Sequence, residues 1–207
     1  MKGLKKTWKK IWYFVWDDNS IWSWIVNIVL AFVLIKFIVY PSLGLILHTS
    51  HPVVAVVSES MEHNSNFDDW WDKASPWYIA NGINKDNFDI FPLKDGFDKG
   101  DIMVLKGKKP QDIKVGDIIV FWSAKKDPII HRVVKKWQNS SIYYFQTKGD
   151  NYKTNPASIK SSFLDETKVS EEQIVGNAVL RIPLLGYVKI WFVDIFNVFN
   201  GILVQKG

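Results

Sequence analysis

The sequence predicts a mainly β protein: an antiparallel β-sheet domain between an N-terminal transmembrane helix and a C-terminal hydrophobic helix. Three observations predict it. Residues 21–40, IWSWIVNIVLAFVLIKFIVY, are apolar apart from a few small polar residues and one charge, Lys36. Between residues 100 and 148, short β-branched and aromatic runs are separated by Gly-Asp, Pro and Asn-Ser turns. Residues 187–204, YVKIWFVDIFNVFNGILV, are bulky and apolar again, with a narrow stripe of Asp194, Asn197 and Gly201.

Residues 1–20 form a basic N-terminus in which Lys2, Lys5, Lys6, Lys9 and Lys10 crowd the first ten positions. A helix over residues 21–40 rises about 30 Å, the thickness of a bilayer core. A lysine at mid-membrane costs roughly 2.5–3.5 kcal/mol, but Lys36 is near the end and can extend to the headgroups. A buried core helix is the competing reading. A cleaved signal peptide fits less well, because the leading region is long and Tyr40-Pro41-Ser42-Leu43 offers no small-x-small cleavage site. The lysine cluster predicts a cytoplasmic N-terminus and places everything after Pro41 outside.

Residues 41–186 are expected to form the extracytoplasmic β-rich domain. Gly100-Asp101 feeds IMVL, and Gly116-Asp117 feeds IIVFW. The pair DIMVL and DIIVF is a weak local repeat of two turn-strand units. Ile129 to Trp137 and Ile142 to Lys148 read as further strands, at spacings that suit antiparallel hairpins. Residues 63–98 are an acidic, aromatic insertion; over 62–101 nine acids face four bases. A segment of that length packs on itself or has a task. It is expected to act as a lid or partner surface outside the catalytic machinery, replaceable by a short Gly-Ser bridge. Residues 187–207 are expected to be a membrane-associated helix, lying in the interface or returning across the bilayer, with a core helix as the alternative.

Composition narrows the function classes. A chain of 207 residues with 47% hydrophobic and 23% charged residues is not disordered, and it fits one domain plus anchors. With no Cys, disulfides, thiolate nucleophiles and Cys-based zinc sites are excluded. The 11 Trp, 7 Tyr and 13 Phe suit membrane–water boundaries as well as a core. The net charge of +5 is distributed in blocks, and residues 102–160 hold twelve bases against four acids. A site for anionic lipid or nucleic acid there lacks a recognised motif, so no nucleic-acid partner is expected.

Four histidines are present, His48, His51, His63 and His131, without HExxH or strong metal spacing. His48 and His51 fall in the leash between span and domain. His131 lies in a strand, IIHRVV, where a structural role is the ordinary expectation. A serine hydroxyl needs a base to become a nucleophile near neutral pH. A neutral imidazole can take its proton, and a carboxylate can fix the tautomer. Ser60, His131 and Asp150 supply those three groups, each at a strand edge or turn. Lys148 is the alternative base.

Pro52 to Met61, PVVAVVSESM, resembles the nucleophile box of type I signal peptidases of the archaeal and endoplasmic-reticulum subfamily, in which a strand ends at Ser-x-Ser-Met. Lys99 to Val104 is similar to the family's next box. Gly116 to Phe121 followed by His131-Arg132-Val133-Val134 resembles the base-bearing box. Thr147-Lys148-Gly149-Asp150-Asn151 resembles the acid-bearing box, and Gly176 through Arg181-Ile182-Pro183 to Gly186 the closing segment. The resemblance runs in order from about residue 20 to 190.

It implies a mostly β catalytic domain of signal-peptidase type on the outer face of a cell membrane. It implies a membrane-bound serine endopeptidase that removes signal peptides from secreted preproteins. Ser60 would be the nucleophile, His131 the general base, and Asp150 the carboxylate that orients or charge-stabilises it. Ser58 and the Ser60 N–H would form the oxyanion hole, with Glu59 facing solvent or the insertion. No cofactor is implied. The partners implied are signal-peptide-bearing preproteins and membrane lipid, with a secretion translocon as a further candidate. The sequence departs from the family in three places. Asn155 stands where members often carry a second Asp, Glu62-His63-Asn64 replaces the usual Pro after Ser-Met, and residues 63–98 expand a short link. The rival from another class is a membrane-anchored β domain that binds or scaffolds without chemistry.

Overall fold

The computed structural model describes residues 2–187 and Trp191. Apart from Tyr187 and Trp191, the C-terminal helix expected over 187–207 lies outside the described residues. The chain forms two units, residues 1–46 and 47–207.

In the first unit the basic N-terminus is a helix, α1 (Lys2–Trp16). Four of its five lysines, at positions 5, 6, 9 and 10, alternate with exposed Trp8, Ile11, Trp12 and Trp16 at helical spacing. Helix α2 (Ile21–Leu47) follows, capped by Ser20, whose Oγ accepts from Ser23 N at 3.2 Å. The polar residues within α2 are turned to α1: Ser23 Oγ donates to Phe14 O, and Asn27 Nδ2 donates to Val15 O at 2.8 Å.

The span was expected to end at Tyr40; instead the helix runs 27 residues, to Leu47. Proline lacks an N–H and clashes with the turn before it. Here Ile35–Val39 widens into a π-helical turn and Tyr40 N–H bonds back to Ile35 O, so the chain passes Pro41 without breaking. None of the helix's apolar window is buried within the protein, which removes the core-helix reading; it is long and apolar enough to cross a membrane.

In the second unit seven strands form one antiparallel sheet: β1 (Val53–Ala55), β2 (Ile102–Lys106), β3 (Ile118–Phe121), β4 (Ile129–Asn139), β5 (Ile142–Lys148), β6 (Val169–Ser170) and β7 (Ile174–Ile182). The spatial order is β1-β2-β7-β3-β4-β5-β6. The two Gly-Asp turns have one cause. Gly100 and Gly116 adopt φ of 92° and 96°, a region that favours glycine. Each following aspartate accepts from the N–H three residues back, Asp98 N to Asp101 and Lys114 N to Asp117, both at 2.8 Å. The weak DIMVL/DIIVF repeat is therefore a repeated turn that launches a strand.

Strand side chains alternate between faces. On β3, Ile118 and Val120 join Val56, Met61, Phe97, Met103 and Leu105 in one core. Ile119 and Phe121 join Val133, Phe145, Leu164 and Val169 in another. A third core belongs to the insertion. Asn66 caps helix α3 (Phe67–Ala80), accepting from Asp69 N at 3.0 Å, and Asp68 and Asp69 occupy its positive end. Trp70, Trp71, Ala74 and Tyr78 form its buried face and pack with Val134 and with Phe88 of α4 (Lys85–Asp89). The insertion thus differs from the expected detachable lid. Its acids face solvent while its aromatics build core.

Candidate active site

Ser58, Ser60 and His131 line one open cleft of about 500 Å³, with Glu59, Lys99 and Asn155 on its walls. Ser60 follows the edge strand β1, and the next residue anchors it. The Met61 side chain is fully buried in the first core, and its Sδ accepts from Asp150 N at 3.4 Å. Two bonds from the Gly-Asp-Asn turn hold the serine loop: Asn151 N to Ser60 O at 2.9 Å and Asn151 Nδ2 to Glu59 O at 2.8 Å. The Ser58 and Ser60 hydroxyls lie 3.2 Å apart. Glu59 is exposed, as expected.

Gly149 lies where the Ser60 backbone carbonyl and the His131 ring converge. A Cβ there would lie 2.6 Å from Ser60 O, 2.8 Å from Asn155 Cγ and 2.9 Å from His131 Nε2. Real Cβ atoms do not approach so closely, so only glycine leaves room for this convergence.

The expected pairing of His131 with Asp150 differs in the structure. The buried His131 Nδ1 contacts Glu166 Oε1. Asp150 is held by Arg132 instead. Arg132 Nε donates to both Asp150 oxygens at 3.0 Å, and one terminal nitrogen donates to Oδ2 at 2.6 Å. The physical reason is strand parity. His131 and Arg132 are neighbours on β4 and point to opposite faces. Val133 pairs with Thr147 and Arg132 with Lys148 across β4 and β5. His131 therefore shares a face with Thr147, and Arg132 shares one with Lys148 and the turn residue two further on, Asp150.

That second face is sealed by the insertion. Tyr78 OH donates to Asp150 Oδ1 at 2.8 Å, and Trp70 Nε1 donates to Asp150 O at 3.0 Å. His63 stacks on Trp70 with ring centroids 3.7 Å apart, its Nε2 3.5 Å from Asp150 Oδ2. Arg132 places its remaining donors on the carbonyls of Pro92, Leu93 and Gly116, each at 2.9 Å. Burial, the largest influence, would raise the Asp150 pKa; the Arg132 guanidinium and His63 together outweigh it and hold the carboxyl well below the usual range. Lys148, the alternative base, belongs to the same sealed face. Its ammonium lies over the Trp77 and Tyr78 rings, at 5.3 and 4.8 Å from their centroids, and donates to Gly149 O at 2.8 Å. Desolvation lowers its pKa to about 8.

Glu166 is the residue that sequence reasoning missed. It lies in the stretch Leu164-Asp165-Glu166-Thr167, which carries no motif. Among the described residues no group of His, Cys, Asp and Glu is arranged to hold a metal ion.

No family model matches the chain. It is similar to the "Signal peptidase complex catalytic subunit SEC11" of Scheffersomyces stipitis, 30% identical over 158 residues, covering 74% of this chain and 73% of that protein. The protein of the same name from Schizosaccharomyces pombe is 31% identical over 163 residues, covering 75% of this chain and 74% of its own. That of Candida albicans is 29% identical over 158 residues, with coverages of 74% and 73%.

Proposed function

The chain belongs to the signal-peptidase family of these SEC11 relatives, and from that premise we propose that it is a membrane-bound serine endopeptidase that removes signal peptides from secreted preproteins. The observation that carries the proposal is the single open cleft shared by Ser58, Ser60 and His131.

In this mechanism a preprotein segment lies extended in the cleft beside β1, which among the described residues pairs with β2 alone. His131 Nε2 takes the Ser60 proton as Oγ attacks the scissile carbonyl carbon. The Ser60 N–H and the Ser58 hydroxyl donate to the oxyanion, and loss of one such donor costs about 10²–10³-fold. The tetrahedral intermediate collapses as the imidazolium protonates the leaving amine, leaving the signal peptide's carbonyl esterified to Ser60. Water, deprotonated by His131, then releases it. The N-terminus faces the cytoplasm and the β domain the outer side, in line with the lysines that precede α2. Tethering to the bilayer raises the effective concentration of a substrate whose signal peptide is still in that membrane. The partners are preproteins and lipid, with a translocon as supplier of substrate; no cofactor takes part.

The test is cleavage of a preprotein by the full chain and by Ser60→Ala in the same membrane preparation. Wild type cuts and the variant does not. Equal processing by both leaves a scaffold without chemistry.

A further inference from the structure

We propose that Glu166 is the positioning carboxylate of the catalytic base, a role that Asp150 leaves open. The inference rests on the reading of Ser60 and His131 as nucleophile and base.

Glu166 is fully buried, and both of its oxygens are committed. Oε1 contacts His131 Nδ1 and accepts from Thr147 Oγ1 at 3.0 Å. Oε2 accepts from Ile159 N at 2.9 Å. The backbone is fixed as well: Thr147 N donates to Glu166 O, and Glu166 N to Ile159 O, both at 2.8 Å. A carboxylate in this cradle accepts a hydrogen bond from the Nδ1–H of a neutral imidazole. It thereby selects the tautomer whose bare Nε2 faces the Gly149 notch beside Ser60. When Nε2 gains the serine proton, the same charge stabilises the imidazolium.

The neighbouring groups do not compete for this role. Asp150 is neutralised by Arg132 on the opposite face, where Lys148 also lies. Asn155, on the cleft wall, carries an amide and no charge. The glutamate reaches the ring from the loop before β6, far along the chain from the Gly-Asp-Asn turn. The missing carboxylate at position 155 is thus supplied from a different element.

The experiment uses the full chain in detergent with one signal-peptide-bearing preprotein, and compares wild type, Ser60→Ala, Glu166→Gln, Glu166→Asp and Asp150→Asn over a pH series. Glu166→Gln lowers kcat about 10²–10⁴-fold with KM nearly unchanged, as expected for a base in the wrong tautomer. Its acid limb moves to lower pH, because the imidazolium has lost its counter-charge. Glu166→Asp keeps the charge but withdraws it by a methylene; it lowers kcat about tenfold or more and leaves the acid limb in place. Asp150→Asn leaves the limb unmoved in whatever fraction folds. A purely structural role would reduce the folded fraction without moving the limb or kcat per active site. Folded Glu166→Gln with wild-type kcat and an unmoved limb overturns the proposal. If that variant does not fold, wild-type kcat in Glu166→Asp overturns it. Failure of wild type to cut, or cutting by Ser60→Ala, sinks the functional reading and this one together. Cutting by wild type, none by Ser60→Ala and wild-type kcat in the folded Glu166 variants would sink this proposal alone.

Discussion

Two adjacent residues of β4 each meet a buried carboxylate, on opposite faces of one sheet. Arg132 meets Asp150 and uses its whole guanidinium on that partner and three carbonyls. His131 meets Glu166 through Nδ1, its Nε2 lies beside Gly149, and the residue lines the cleft. The first pair is closed by the aromatics of the insertion; the second is left open on one side. A cation–carboxylate pair with every donor satisfied can only hold structure. An imidazole–carboxylate pair with a spare nitrogen is available to move a proton.

The sharpest way to break the comparison is to unseal the closed face. Replacing residues 63–98 by a Gly-Ser bridge removes Trp70, Tyr78 and Phe88, all fully buried. Each buried aromatic is worth about 3–5 kcal/mol, so the expected outcome is an unfolded β domain, read by circular dichroism and protease sensitivity. A folded, active bridge variant would show that Arg132 and Asp150 need no cover.

Asp150→Asn comes next. Breaking one partner of a buried pair costs about 3–5 kcal/mol, measured by denaturant unfolding in detergent. The folded pKa of Asp150 lies below its unfolded value, so the charge stabilises the fold at pH above the unfolded value, about 3.9. That stabilisation disappears as pH falls through the folded value. The stability gap between wild type and variant should therefore narrow in acid; a gap constant with pH would place the effect in packing.

Gly149→Ala tests the point where the faces meet. The added methyl pushes Ser60 and His131 apart, and a displacement of about 1 Å costs about 10²-fold in rate. Rate should fall far more than stability, as read by cleavage and melting of the same sample.

The smallest effect is a slope. Burial lowers the Lys148 pKa to about 8 from 10.5, so the folded state disfavours its charge. Unfolded chains bind more protons between those values, and stability should rise with pH across that window. Lys148→Met should flatten the rise in unfolding free energy between pH 8 and 10.

Much of this contrast could be read before any coordinates. Ile142 to Lys148 is a strand with those bounds, and the Gly-Asp turns launch β2 and β3 as expected. Ser58, Ser60 and His131 do share a cleft. The partner of His131 was not legible, because face assignment needs the β4–β5 register, and a one-residue shift reverses it. Asp150 is the nearer residue in sequence but lies on the wrong face. Glu166 is nearer in space, from a loop with no signature. Helix α3 is legible with hindsight in its spacing, since Trp70, Trp71, Ala74 and Tyr78 recur at helical intervals, but the acids between them mask the stripe and the segment is expected as a lid or partner surface. The passage of α2 beyond Pro41 depends on a π-helical turn that composition does not announce.

The strand order has a consequence for synthesis. β7, the last strand among the described residues, lies between β2 and β3 near the middle of the sheet. Neither neighbour can complete its pairing until Ile182 has emerged, and non-local pairing of this kind is slow. The chain's apolar N-terminal helix leaves the ribosome long before that. A sheet wired in this order leaves Ser60, just after β1, and His131, on β4, on two halves that β7 has yet to join while the chain is still being made.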